Sequence, residues 1–159
     1  MRDAVIVSTA RTPLGKAHRG AFNATLTPTL AAHALKAAVA RAKLEGPEID
    51  DVIMGCVLTQ CSGGGNIART ALLRAGLPVS VSGQTIDRQC SSGLMAIATA
   101  AKQIIVDGMQ IAVGAGVDSL STVQNDKFRA EGDPELVAMH PDIYMPMIDT
   151  AEVVAKRYG

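Results

Sequence analysis

The sequence predicts an α/β fold: a largely parallel sheet with helices on both faces. Three observations predict it. Short apolar runs rich in β-branched residues alternate with segments of helical period, in the order strand, helix, strand, helix, strand, helix, strand. Successive strand–helix–strand units of this kind connect parallel strands. The composition also suits close packing of helix on sheet, since 25 Ala and 15 Gly make up a quarter of the 159 residues, against two Phe, two Tyr and no Trp. A chain of this length can bury a core without disulfide or metal staples.

Ala4 to Ser8 is short and β-branched and reads as a buried first strand. Arg11 to Thr25 holds Pro13, Gly15 and Gly20 among polar residues and reads as a loop. Thr27 before Pro28 predicts a hydroxyl cap with proline in the first turn. Ala31, Ala34, Leu35, Ala38, Val39 and Ala42 then form one apolar helical face, which Gly46-Pro47 ends. Val52 to Leu58 reads as the second strand. Cys61 to Gly65 is a glycine-rich loop, and Asn66 caps a helix carrying Ile67, Ala68, Ala71, Leu72 and Ala75, with Gly76 as its stop. Ser80 to Ile86 is the third strand. Ser91 to Val106 is an apolar helix stopped by Gly108, and Gln110 to Val117 is the fourth strand.

Past residue 118 the chain turns polar and irregular, and three of its seven Pro lie between Ser119 and Pro146. This divides it into an α/β part, residues 1–118, and the beginning of another domain, residues 119–159. The charged stretch from Asp126 to Glu135 reads as a solvated loop. A last helix is predicted from Asp149, with Glu152 as capping-box partner.

Fifteen Lys and Arg balance fifteen Asp and Glu. A nucleic-acid binder needs excess positive charge, so that class is disfavoured, as is a polybasic membrane patch. No run of about 18 apolar residues predicts a membrane span. Three cysteines are an odd set for a disulfide framework, and the N-terminal apolar run is too short for a signal peptide. The expected compartment is the cytoplasm, with reduced thiols. No metal site is expected: Cys56 and Cys61 form no Cys-x-x-Cys pair, and His140 stands apart from both. His33 lies off its helix's apolar face and is expected to be solvated. Gly114-Ala115-Gly116 lacks the third glycine of a dinucleotide fingerprint, and Ser62-Gly63-Gly64-Gly65 lacks the Gly-Lys-Ser/Thr ending of a phosphate loop.

The informative segment is Asp87-Arg88-Gln89-Cys90-Ser91-Ser92-Gly93-Leu94-Met95-Ala96-Ile97-Ala98. It sets a cysteine where a strand gives way to an apolar helix, a helix expected to be buried and rigid. The first N–H groups of a helix lack intrahelical acceptors and its dipole is positive there, so a thiolate is stabilised. The same groups can hold the oxygen of a carbonyl under attack. A cysteine so placed is either a small core residue or a nucleophile. Cys56, inside a strand, reads as core. Cys61, in the glycine-rich loop, reads as structural or incidental.

The Asp87–Ala98 segment resembles the nucleophile motif of the thiolases, the acyl-CoA acyltransferases. Val7-Ser8-Thr9-Ala10-Arg11-Thr12-Pro13, Gly63 to Arg69, Gly114-Ala115-Gly116-Val117-Asp118-Ser119-Leu120-Ser121 and Thr150-Ala151-Glu152-Val153-Val154-Ala155 resemble further stretches of that family in the same order. The resemblance implies a thiolase-like half-domain, part of an α-β-α-β-α layered body, followed by the start of a loop domain. It implies that Cys90 accepts the acyl group as a thioester, for thiolysis of a 3-ketoacyl-CoA or the reverse Claisen condensation. It further implies that Met147 lines the acyl pocket, that coenzyme A and acyl-CoA are substrates with no separate cofactor, and that the full-length form is a homodimer or homotetramer paired through the third strand.

Two positions depart from the family pattern: Asp87 stands where Asn is common, and Asp118 where Glu is. The family's activating histidine and second cysteine come from a second half that this sequence does not contain, and most coenzyme A contacts belong to the remainder of the loop domain. Two alternatives accompany the thiolase reading. One is a catalytically inert fragment; the other is a related ketoacyl synthase-type condensing enzyme.

Overall fold

Val52, Ile53 and Met54 are apolar on both sides of one short strand, β1 (Asp51–Gly55), and all five of its residues are buried. Such a strand needs a layer on each face. In the computed structural model, which describes residues 2–126 and 131–159, β1 is the centre of a three-stranded parallel sheet. It pairs with β2 (Ser82–Ile86) on one side and with β3 (Ala112–Gly116) on the other. The parallel pairing agrees with the sequence expectation.

Side-chain alternation along β1 sorts the helices. Val52, Met54 and Cys56 face one way and pack with Ile67, Ala68, Ala71 and Leu72 of α2 (Ile67–Arg74) and with Ala31 and Leu35 of α1 (Thr27–Ala42). Ile53 faces the other way, onto Ala96 and Ala100 of α3 (Ser92–Lys102). The second face is nearly bare backbone. A Cβ on Gly114 would lie 2.6 Å from the Ile97 Cα, one on Gly116 would lie 3.1 Å from the Gly93 Cα, and one on Gly55 would collide with the Ser92 backbone. Glycine at these sites lets α3 rest directly on the sheet.

Element ends follow local chemistry. The Asn66 side chain caps α2 by accepting the Arg69 N–H at 3.2 Å, as predicted. α3 runs on through one wider turn, 103–107, and stops at Gly108, whose φ is +80°. Thr27 is not a cap: it sits one residue inside α1, fully buried, with Oγ1 2.8 Å from Ser62 Oγ. Ser62 Oγ in turn lies 2.5 Å from Thr122 Oγ1. α1 ends before Gly46-Pro47, because Lys43 turns left-handed (φ 58°) and its N–H bonds Ala40 O.

Residues 4–8 correct the sequence reading. They run extended but join no ladder, and Val5, Ile6 and Val7 are between 71% and 76% exposed. A strand exists only through its partner, and this segment is held by side chains instead. Arg2 donates to Gly108 O (3.2 Å), Met109 O (3.1 Å) and Gln110 Oε1 (3.1 Å). Ser8 Oγ donates to Ala38 O at 2.8 Å. A cavity of about 230 Å³ is lined by Val5 and Val7 of this segment together with Leu44, Ile104, Ile111 and Ala112 among others.

The chain forms two compact units, one reaching residue 128 and one starting at 129. The first continues past Asp118 through a short helix, α4 (Leu120–Val123), whose Val123 is fully buried. The second holds α5 (Pro134–Met139) and α6 (Met147–Tyr158). Asp133 caps α5 by accepting from the Glu135 and Leu136 N–H groups. α6 starts two residues before Asp149, after Pro146, so the expected capping box with Glu152 is not formed. Within the stretch predicted as a charged loop, residues 127–130 lie outside the described residues.

Candidate active site

Cys90 lies between β2 and α3, two residues before the first helical residue, and is exposed. Parallel strands all end on one side of a sheet, and β2 delivers the chain to that side, where ligands of open α/β sheets bind. The glycine floor under Ser92, Gly93 and Ile97 then fixes where α3 begins. Gly93 and Leu94 belong to the first turn, whose N–H groups look outward for acceptors.

The turn itself is strained. Gln89, directly before Cys90, has φ +50°, a left-handed conformation that costs a non-glycine residue about 1–2 kcal/mol. A small set of hydrogen bonds holds it. Asp87 Oδ1 accepts the Gln89 N–H at 2.8 Å. Ser92, buried, accepts the Arg88 N–H on Oγ at 2.8 Å and donates to Gln89 O at 2.6 Å. Ser92 Oγ also lies 3.5 Å from Asp87 Oδ1. Ser91 Oγ donates to Arg88 O at 2.8 Å. Sequence reasoning noticed Ser91 and Ser92 only as small residues. The missed signal was Asp87 itself, since an aspartate can accept the N–H two residues on in an Asx-turn, as it does here from Gln89.

The other predicted residues fall elsewhere. Cys56 is fully buried at the end of β1, in accord with its core reading. Burial pushes its thiol up to about 12, assisted by the nearby Asp118 carboxylate, so it remains protonated. Asp118 Oδ1 accepts the Val57 and Leu58 N–H groups, at 3.0 and 2.8 Å, and lies 3.5 Å from Cys56 Sγ. It thereby ties the loop after β1 to the end of β3. Cys61 is exposed in its loop, with φ 47°. Within the glycine-rich segment around it Gly63 is packed: a Cβ there would strike Leu58 O. Met147 is the first residue of α6, in the second unit, and is 70% exposed. His33 is exposed, as expected.

The expectation that α3 is buried is met on one side only. Ser92, Ala96 and Ala100 are covered, whereas Leu94 is 72% exposed and Ile97 is exposed too. The helix is apolar on more than one stripe, and the sheet covers a single stripe. Beside the Cys90 turn this outer side forms a hollow of about 250 Å³, lined by Arg88, Ser91, Leu94, Met95 and Ala98. Among the described residues no three His, Cys, Asp or Glu side chains gather as metal ligands, and no helix is long and apolar enough to cross a membrane.

An exposed cysteine on a strained strand-to-helix turn, over a parallel sheet, is the layout of a cysteine-centred α/β fold. The comparisons define it further. Residues 4–157 match the family described as "Thiolase, N-terminal domain", and the chain belongs to the thiolase family. It is 40% identical over 159 residues to the 3-ketoacyl-CoA thiolase of Bacillus subtilis (strain 168), covering 100% of this chain and 41% of the relative. It is 41% identical over 172 residues to the acetyl-CoA acetyltransferase of Cupriavidus necator, covering 100% of this chain and 43% of that protein. It is also 40% identical to the peroxisomal 3-ketoacyl-CoA thiolase 5 of Arabidopsis thaliana, covering 99% of this chain and 35% of that protein. The crystal structure of the Bacillus anthracis acetyl-CoA acetyltransferase superposes with a TM-score of 0.73 at 35% identity, over 83% of this chain and 35% of that one. The fold is thus a thiolase-like α/β half-domain, in a family whose relatives here are named 3-ketoacyl-CoA thiolases and acetyl-CoA acetyltransferases. The chain spans about a third to two-fifths of the length of the curated relatives it matches.

Proposed function

We propose that Cys90 is the nucleophile of an acyl-CoA C-acyltransferase. In this reading its thiolate attacks the carbonyl carbon of a 3-ketoacyl-CoA. A carbon–sulfur bond forms, the bond to the α-carbon breaks, and that carbon leaves as the enolate of a shorter acyl-CoA, which takes up a proton. The thiol of coenzyme A then receives the acyl group, giving up its proton and regenerating the Cys90 thiolate. Run backwards, the same steps are a Claisen condensation. Coenzyme A and acyl-CoA are substrates and no further cofactor takes part. The observation that carries the reading is the exposure of Cys90 on the strained turn where α3 opens.

The finer parts of the proposal rest on the family resemblance. Met147 lines the acyl pocket, and the assembled protein is a cytoplasmic homodimer or homotetramer that pairs through β2, a sheet-edge strand here. The activating histidine and second cysteine come from polypeptide beyond these 159 residues. A Cys90→Ser variant of the complete protein should then form no acyl-enzyme after exposure to acetyl-CoA, as read by intact mass. An acyl adduct that survives the substitution sinks the assignment.

The partial coverage of the relatives supports a second reading, that these residues alone are catalytically inert. Intact mass of the natural protein separates the two: about 16.5 kDa supports the inert form, and a much larger value supports the enzyme.

A further inference from the structure

We infer that Ser92 and Asp87 are positioning residues, which hold Gln89 left-handed and so set the reactivity of the Cys90 thiol. The inference rests on the proposed nucleophilic role of Cys90. Four observations carry it. Gln89 occupies a backbone region that glutamine seldom adopts, and such strain persists only where the surroundings over-determine it. Both backbone polar groups of Gln89 are engaged: its N–H by Asp87 Oδ1 at 2.8 Å, and its C=O by both Ser92 Oγ at 2.6 Å and the Ser92 N–H at 3.0 Å. The same Ser92 oxygen accepts the Arg88 N–H at 2.8 Å, so one hydroxyl bonds two consecutive residues of the turn. Finally, Ser92 cannot drift, because its backbone rests on Gly55, where no side chain fits.

The arrangement gives each group a job that its chemistry suits. A hydroxyl can accept and donate at once, which neither alanine nor an acid-only acceptor can do. At position 87 only an acceptor oxygen is used, so an asparagine amide oxygen serves as well as a carboxylate. Without the brace Gln89 relaxes toward ordinary backbone angles, and the backbone of Cys90, the next residue, is displaced with it.

The test is the alkylation rate of Cys90 by iodoacetamide as a function of pH, resolved by peptide mass spectrometry on the intact chain, with exposed Cys61 as internal reference. Ser92→Ala should slow Cys90 about tenfold and shift its pH profile, leaving Cys61 unchanged. A tenfold change corresponds to about 1.4 kcal/mol. Adding Gln89→Gly to Ser92→Ala should restore most of the rate, since glycine adopts the left-handed turn unaided. Asp87→Asn should stay near wild type, whereas Asp87→Ala should not. An unchanged Cys90 profile in Ser92→Ala overturns the inference. So does equal slowing of Cys90 and Cys61 that Gln89→Gly fails to rescue, which marks a structural role only. The two proposals fail separately: a brace-dependent rate with no acyl adduct refutes the nucleophile, and an acyl adduct indifferent to Ser92 refutes the brace.

Discussion

Cys56 and Cys90 show how one residue type is set in two different surroundings, one buried and one exposed. Cys56 is enclosed between β1 and α2 and faces Asp118, so its proton is held up to about 12 from an ordinary 9.0. The sign follows directly. Between those values the folded chain keeps a proton that the unfolded chain has lost, so stability falls as pH rises through that window and this thiol contributes no pH dependence below it. The slope is at most about 1.4 kcal/mol per pH unit. Urea midpoints taken from pH 8 to 10.5 should fall more steeply for wild type than for Cys56→Ala; parallel curves contradict the buried, protonated thiol. The placement of Cys90 between a strand and a helix was legible in the sequence, because strand, turn and apolar helix are local patterns. The left-handed Gln89 was not, because nothing about a glutamine announces a positive φ. The link between Asp118 and the loop after β1 was hidden too, since about sixty residues separate its partners.

At the level of elements, helices were easier to read than strands. The apolar period of α1, α2 and α3 marked all three, and Asn66 and Gly108 marked two of their ends, since those signals are carried by neighbouring residues. Residues 4–8 misled because a β-branched run declares a preference, while a strand requires an edge to pair with. The four-residue helix α4 was missed for a related reason: Val123 is held by packing, with too few residues for any period to show. Gly114 and Gly116 were noticed as a failed nucleotide motif and as part of a family-like stretch, but not for their packing: they let α3 down onto the sheet. Gly114→Ala should therefore destabilise the fold by about 1–3 kcal/mol, seen as a lower urea midpoint with an unchanged slope. Leu72→Ala, on the opposite face and fully buried, should cost about 2–5 kcal/mol by the same measurement. An alanine at 114 with no effect would mean that α3 does not rest on β3.

For the molecule as a whole, the balance of covered and uncovered apolar surface decides behaviour. The sheet buries one stripe of α3 and leaves Leu94 and Ile97 in solvent, while Val5, Ile6 and Val7 are bare along the N-terminal segment. Isolated surface apolar residues are ordinary, but clusters of them mark surfaces made for contact. The 159-residue chain prepared alone should self-associate in light scattering and bind a hydrophobic dye. Leu94→Glu should reduce both. A compact, dye-silent monomer at all concentrations contradicts this. The parallel α/β arrangement was foreseeable because crossover connections admit few alternatives. The exposed outer side of α3 was not, because an apolar helix reads as buried all round while the sheet covers a single stripe.

The glycine seat of α3 also governs which hydrogens leave the molecule last. Where helix meets sheet without intervening side chains, deuterated solvent finds no channel. The amides of Ile53 and Met54 on β1, and of Ile97 on α3, should trade their protons only when the entire unit comes apart. Their exchange rates would then report global stability directly, while those of residues 4–8 should vanish within the dead time.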